Sequence, residues 1–131
     1  MLKHALRLLL FMTAMLLPAP VAWSADYSVN IIPPVPTPGM VTLLDLGADQ
    51  CAPCRLMAPI IAELKREYEG RVSILYIDVW RHPGQAQTFK IRAIPTLIFY
   101  NTEGKEVARS IGLTKKKNIV AILEKIGVSG K

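Results

Sequence analysis

The chain has 131 residues, with 16 Lys plus Arg against 10 Asp plus Glu, a formal charge of +6, and 51% hydrophobic but only 7% aromatic residues. That length holds one small domain. The basic groups are scattered, with no basic stripe interleaved with aromatics, so nothing in the composition supports nucleic acid as a partner.

Met1 to Arg7 carries Lys3 and Arg7 and no acid, Leu8 to Leu17 is apolar apart from Thr13, and Pro18 and Pro20 break any helix. Ala22-Trp23-Ser24 then offers small residues at the spacing a signal peptidase reads. This is the pattern of a secretory signal peptide over residues 1–24, with cleavage expected after Ser24. An uncleaved anchor is the alternative, but an apolar run of about ten residues falls short of the roughly 20 that span a bilayer. No cysteine stands at the end of the signal, which excludes lipid attachment there. Loss of residues 1–24 leaves 14 Lys plus Arg and a mild net charge near +4. The expected location is therefore periplasmic or otherwise extracytoplasmic.

Residues 25–40 hold four of the ten prolines together with Gly39. They read as an extended, stiff lead-in with at most a short strand, Ser28 to Ile32, before Pro33. A linker from the export signal is one reading of this stretch, and a docking edge strand is the other. The domain proper is expected over residues 41–127.

Val41 to Leu46 is a strand buried on both faces, by its near-continuous apolarity. Cys51-Ala52-Pro53-Cys54 follows, and behind it runs a helical pattern to Glu69 closed by Gly70. In this helix Leu56, Ile60 and Leu64 recur at spacing four, and Met57, Ile61 and Tyr68 fill adjacent positions. Pro53 suits the first turn, where its missing N–H costs nothing. Pro59 removes one bond inside the helix and is expected to kink it.

Arg71 to Val79 is a second strand, His82-Pro83-Gly84 a turn, and Gln85 to Lys90 a short helix. Thr96 to Tyr100 and Lys105 to Ile111 are strands joined by Asn101-Thr102-Glu103-Gly104, a hairpin signal. Thr114 is placed to cap a last helix whose Ile119, Ile122, Leu123 and Ile126 form an apolar face, ending at Gly127. The order implies an α/β fold: a central mixed β-sheet flanked by helices on both faces. The first two strands should be parallel and the last two antiparallel.

A dithiol where a strand hands over to a helix has a mechanism built in. The first N–H groups of the helix are unpaired and point at the sulfur, and the helix dipole favours negative charge there. Both stabilise thiolate, the reactive form. A purely structural disulfide is the bland alternative, but a bridge across two intervening residues closes a tiny loop, and loop-closure stabilisation grows with loop size.

Together, Asp45 before the dithiol, Cys51-Ala52-Pro53-Cys54, Pro59 in the helix and Ile94-Pro95-Thr96 opening a later strand make the chain resemble the thioredoxin family over roughly residues 41 to 126. A lone CxxC also occurs in metal sites; CxPC with this order of elements is far more specific. The chain departs from the family pattern at Gln50, where the family has tryptophan, and at Gly47, where an aromatic is common. The family's first strand and helix look shortened into the proline-rich lead. With its export signal, the chain looks like an extracytoplasmic thioredoxin-like protein.

The resemblance implies a thiol–disulfide oxidoreductase that needs no cofactor beyond the redox-active Cys51–Cys54 pair and works as a monomer on protein disulfide or dithiol substrates. Cys51, nearer the surface, is the expected nucleophile, and Cys54, one turn deeper, the resolving thiol. Arg55 favours the thiolate and Asp49 opposes it. Asp45 alternates in phase with Val41 and Leu43, so burial should raise its pKa. The resemblance places it below the dithiol as proton acceptor for Cys54; an acid satisfied by backbone at a strand end is the alternative. Pro95 is expected to be cis, a state open to X–Pro bonds. Ile94 would offer backbone groups to a substrate chain, and Gly112 and Gln50 would line the same groove; a plain turn glycine is the other reading of Gly112.

Ala52-Pro53 is closer to the pattern of reductases than to the Pro-His pair of strong oxidants. The expected role is reduction of extracytoplasmic thiols, for instance in cytochrome c maturation, with a transmembrane reductase of the DsbD or CcdA type as electron donor. The rivals are a disulfide-donating oxidase or isomerase, and a binding module with an incidental dithiol. His82, the only histidine left after loss of residues 1–24, falls short with two cysteines of a four-ligand structural zinc site, so no metal is expected. Lys115-Lys116-Lys117 opposes the dipole at the start of the last helix; it reads as a solvated run or as a contact for an acidic partner. Tyr76 and Trp80 read as packing at the sheet's margin.

Overall fold

The computed structural model describes residues 32–130. The signal reading of residues 1–24 lies outside the described residues, as does most of the short strand expected at Ser28–Ile32. Ile32 itself is not in a strand.

In chain order the elements are β1 (Val41–Gly47), α1 (Ala52–Glu67), β2 (Val72–Asp78), α2 (Gly84–Thr88), β3 (Thr96–Tyr100), β4 (Glu106–Ile111) and α3 (Lys116–Lys125). Among the described residues they build one four-stranded sheet in the order β2-β1-β3-β4. β1 and β2 are parallel, and β1–β3 and β3–β4 antiparallel, so the expected mixed sheet is present. β1 is central and every one of its residues is buried.

Strand alternation splits the core into two layers. Val41, Leu43, Leu97 and Phe99 face Met57, Ile61 and Leu64 of α1, Tyr68 at its C-cap, and Ile119 and Leu123 of α3. Leu44, Leu46, Ile77, Ile98 and Tyr100 face the other way, onto Ala86, Phe89, Ile91 and Ile94 around α2 and onto Ile32 and Val35 of the proline-rich lead. The lead from Ile32 onward is thus docked on the sheet. Thr37 accordingly bonds Thr42 Oγ1 through its N–H at 3.0 Å and Ser73 Oγ through its hydroxyl at 2.6 Å.

Three local expectations need correction. The buried stripe of α1 is Cys54, Met57, Ile61 and Leu64, while Leu56 is 62% exposed; the row of spacing four that starts at Leu56 reaches the core only further along, through half-buried Ile60 and buried Leu64. Thr114 does not cap α3. Its hydroxyl donates to the Gly112 carbonyl at 3.1 Å and pairs with Ser110 Oγ, so Lys115 stands at the N-cap with no side-chain bond to the helix. The lysine run is not simply solvated either: Lys116 Nζ is ion-paired with Glu63, at 2.8 Å, and with Glu67 of α1. Lys116 thus finds acidic partners within the chain, while Lys115 and Lys117 are exposed. α1 itself continues through Pro59.

Candidate functional site

β1 ends at Gly47, a turn through Asp49 and Gln50 follows, and α1 starts at Ala52 with Cys51 as its N-cap. The sequence folds this way because the apolar β1 run stops at Gly47 while Pro53 fits the first helical turn. Cys51 and Cys54 are joined in a disulfide, with Cα atoms 5.2 Å apart, inside the normal range. The Cys54 N–H points at Cys51 Sγ from 3.3 Å. In the reduced protein that donor and the helix dipole stabilise negative charge on Cys51. The first turn of α1 contains no acid to oppose them.

Sequence reasoning put Cys51 nearer the surface than Cys54. In the disulfide form each is 8% exposed, because the bridge draws both sulfurs against Ala48 and Ile94. What separates them is their surroundings. Cys54 lines a cavity of about 330 Å³ between α1 and β2, together with Asp45, Ala48, Asp49, Arg55, Lys65 and Tyr76; Cys51 is not part of that lining. Of the two cysteines, Cys54 is the one that shares a cavity with the acid.

Asp45 is 5% exposed, and its Oδ1 has no hydrogen-bond partner among the described residues. Burial pushes its pKa from 3.8 to about 6, with the Lys65 ammonium pulling the other way. Strand-end backbone therefore does not satisfy Oδ1. A carboxyl titrating near 6, sharing a cavity with a thiol and roomy enough for water, can take up a proton near neutral pH.

The Ile94–Pro95 peptide is cis, as expected, and Ile94 packs on the cysteine pair. A second cis bond, Val35–Pro36, was not foreseen. Gly112 donates its N–H to the Pro95 carbonyl at 2.7 Å, so Ile94, Pro95 and Gly112 belong to one neighbourhood beside the dithiol. Gln50 is exposed in the turn immediately before Cys51.

Sequence reading missed the support of that turn. Asp78, at the end of β2, accepts the Asp49 N–H on Oδ2 at 3.0 Å and those of Trp80 and Arg81 on Oδ1 at 2.8 and 3.1 Å. Burial works against its charged form, but the N–H bonds of Asp49, Arg81 and Trp80, then the Arg81 charge, hold its carboxyl below the ordinary range. An acid at a strand end just before a turn is the usual signal for such self-capping. Asp49 is further bonded by the Tyr76 hydroxyl at 3.2 Å and by Arg81 at 2.7 Å. Among the described residues there is no group of His, Cys, Asp and Glu able to hold a metal.

The thioredoxin family profile matches residues 34–125. The chain belongs to the thioredoxin family. Among curated relatives, the thioredoxins of Staphylococcus saprophyticus and Staphylococcus aureus are each 38% identical over 85 residues, covering 65% of this chain and 81% of theirs. This thioredoxin-family chain is a thiol–disulfide oxidoreductase, and its redox-active group is the Cys51–Cys54 pair.

Proposed function

We propose that the chain is an exported thioredoxin that reduces disulfides in extracytoplasmic proteins and is itself recharged by a transmembrane dithiol reductase of the DsbD or CcdA type, with maturation of cytochrome c among the processes it serves. Export is supported by the basic, apolar and small-residue segments of residues 1–24. The reducing direction is supported by Ala52-Pro53 between the cysteines.

The observation that carries the mechanism is the shared cavity of Cys54 and Asp45. In the reduced protein the Cys51 thiolate attacks one sulfur of a substrate disulfide, forming a mixed disulfide and releasing the other sulfur as a thiolate. Asp45 takes the proton of Cys54, directly or through water. The Cys54 thiolate then attacks Cys51 Sγ, expelling the remaining substrate sulfur and closing the internal bridge. Two electrons pass to the substrate, whose two thiolates pick up protons. Ile94 offers its backbone to the substrate chain beside the bond being exchanged, with Gly112 and Gln50 at the groove's margins.

The deciding experiment is the equilibrium potential of the Cys51–Cys54 couple against glutathione. A value near that of thioredoxin, about −270 mV, supports a reductant, and one near about −120 mV marks a disulfide donor and overturns the reading.

A further inference from the structure

β1 ends in a buried glycine where even a Cβ would be crowded. A Cβ on Gly47 would lie 3.2 Å from Tyr76 Cε2 and 3.3 Å from Cys54 Sγ. The first distance is to a ring carbon and the second to the resolving sulfur, so ring and sulfur border the same gap. Tyr76 comes from the neighbouring strand, directly opposite Asp45 in the β1–β2 register. It also lines the cavity that holds Asp45 and Cys54. Because β2 is an edge strand, nothing in the sheet lies beyond the ring on that side, and Tyr76 is 39% exposed. One side of it meets the cavity and the other meets solvent. Its hydroxyl donates to Asp49 Oδ1, and Asp49 is clamped by Arg81.

We propose that Tyr76 is a positioning residue for the exchange reaction. Its ring closes the solvent side of the cavity shared by Asp45 and Cys54, and its hydroxyl, anchored through Asp49 to Arg81, holds the ring there. Gly47 is the complement of this arrangement, since a Cβ at that position would crowd both the ring and the Cys54 sulfur and make one of them give way. The ring keeps bulk water from the carboxylate, which preserves Asp45 as an acceptor near neutral pH. The other groups facing the cavity are Arg55 and Lys65 of α1 and Asp49 of the turn; opposite Asp45 on β3 stands the apolar Leu97. Burial, ahead of the Lys65 charge, is the leading cause of the raised pKa of Asp45, so a side chain that helps to keep water from this carboxyl bears directly on its titration. The assignment rests on Asp45 as proton acceptor of the resolving step.

The test is an NMR titration of the Asp45 carboxyl carbon in the disulfide form of the full domain, for wild type, Tyr76→Phe and Tyr76→Ala, alongside the pH profile of the resolving step. Tyr76→Ala should lower the Asp45 midpoint by about one unit as water reaches it, and the acid limb of the profile should move with it. Tyr76→Phe keeps the ring but cuts its anchor, and should move the midpoint by less than half as much. Should Tyr76→Ala fail to fold, Tyr76→Thr, a strand former without a ring, carries the same readout. A midpoint unmoved in the ring-less variant, with Asp45→Asn slow to resolve, overturns the role of Tyr76 alone. Resolution at the wild-type rate in Asp45→Asn overturns the acceptor reading beneath it.

Discussion

The Gly112 N–H and the Pro95 carbonyl meet at 2.7 Å, tying the end of β4 to the turn that faces the dithiol. Gly112 makes this bond from a left-handed backbone, φ +83, with nothing within 4 Å of where a Cβ would stand. Gly112→Ala therefore meets no steric clash and should cost only the backbone penalty, about 1–2 kcal/mol. For a domain of this size each kcal/mol lowers Tm by about 4–8 °C. Thermal unfolding of the disulfide form checks it. A drop well beyond that range would mean that the groove itself has rearranged.

The two cysteines should fail in different ways. Cys51→Ser removes the attacking sulfur and should bring insulin-disulfide reduction under dithiothreitol down to the buffer rate. Cys54→Ser leaves attack intact but removes resolution, so mixed disulfides should accumulate as slower bands on a non-reducing gel. A protein using the fold only to bind would show neither behaviour, and its reduction rate would never exceed buffer.

Asp45 places a load on the fold that depends on pH. Its pKa rises from 3.8 to about 6 on burial, so between those values the native state holds more protons than the unfolded chain. Stability attributable to this group is complete below about pH 4 and is lost as pH rises through about 6. Asp45→Asn should accordingly be more stable than wild type at pH 7, by on the order of 2–3 kcal/mol, with the difference vanishing near pH 4. Urea unfolding of both proteins at the two pH values measures it. The same variant should slow release of substrate from the mixed disulfide. Equal stability at pH 7 would place the carboxylate in a better-solvated site than its burial implies.

Much of this site was legible in the sequence because it rests on short-range order. The alternation Val41, Leu43, Asp45 puts the acid on the helix-facing side of β1, and Cys51-Ala52-Pro53-Cys54 is a single turn whose geometry is local. Contacts that depend on how two strands align were not legible. Tyr76 shares the space beside Gly47 with Cys54 only because β1 and β2 pair in one particular register, and the sequence shows no more than a tyrosine in a strand. Lys116 finds Glu63 and Glu67 only once α1 and α3 pack side by side on the sheet. Thr114 misled because its hydroxyl has a closer use: Ser110 and the Gly112 carbonyl engage it before any helix N–H can. Leu56 misled because it fits the helical period equally well but itself faces solvent.

Asp78 gives the sharpest separation between holding the fold and holding the site, because its two oxygens have different tasks. Oδ1 accepts from Trp80 and Arg81 in the turn after β2, and Oδ2 accepts from Asp49 in the turn before the dithiol. Asp78→Ala strands all three N–H groups and should destabilise the protein by about 1–3 kcal/mol. Asp78→Asn, with its remaining oxygen toward Trp80 and Arg81, keeps the first pair but presents an amide N–H to Asp49. It should lose less stability than the alanine variant while losing a comparable share of kcat/KM, as the turn carrying Gln50 and Cys51 is freed. Hydrogen exchange provides the structural check: the Asp49 amide should exchange faster in both variants, and the Trp80 amide faster only in Asp78→Ala. If Asp78→Asn kept full activity with a fast-exchanging Asp49 amide, the turn's anchoring would not matter to the chemistry of Cys51.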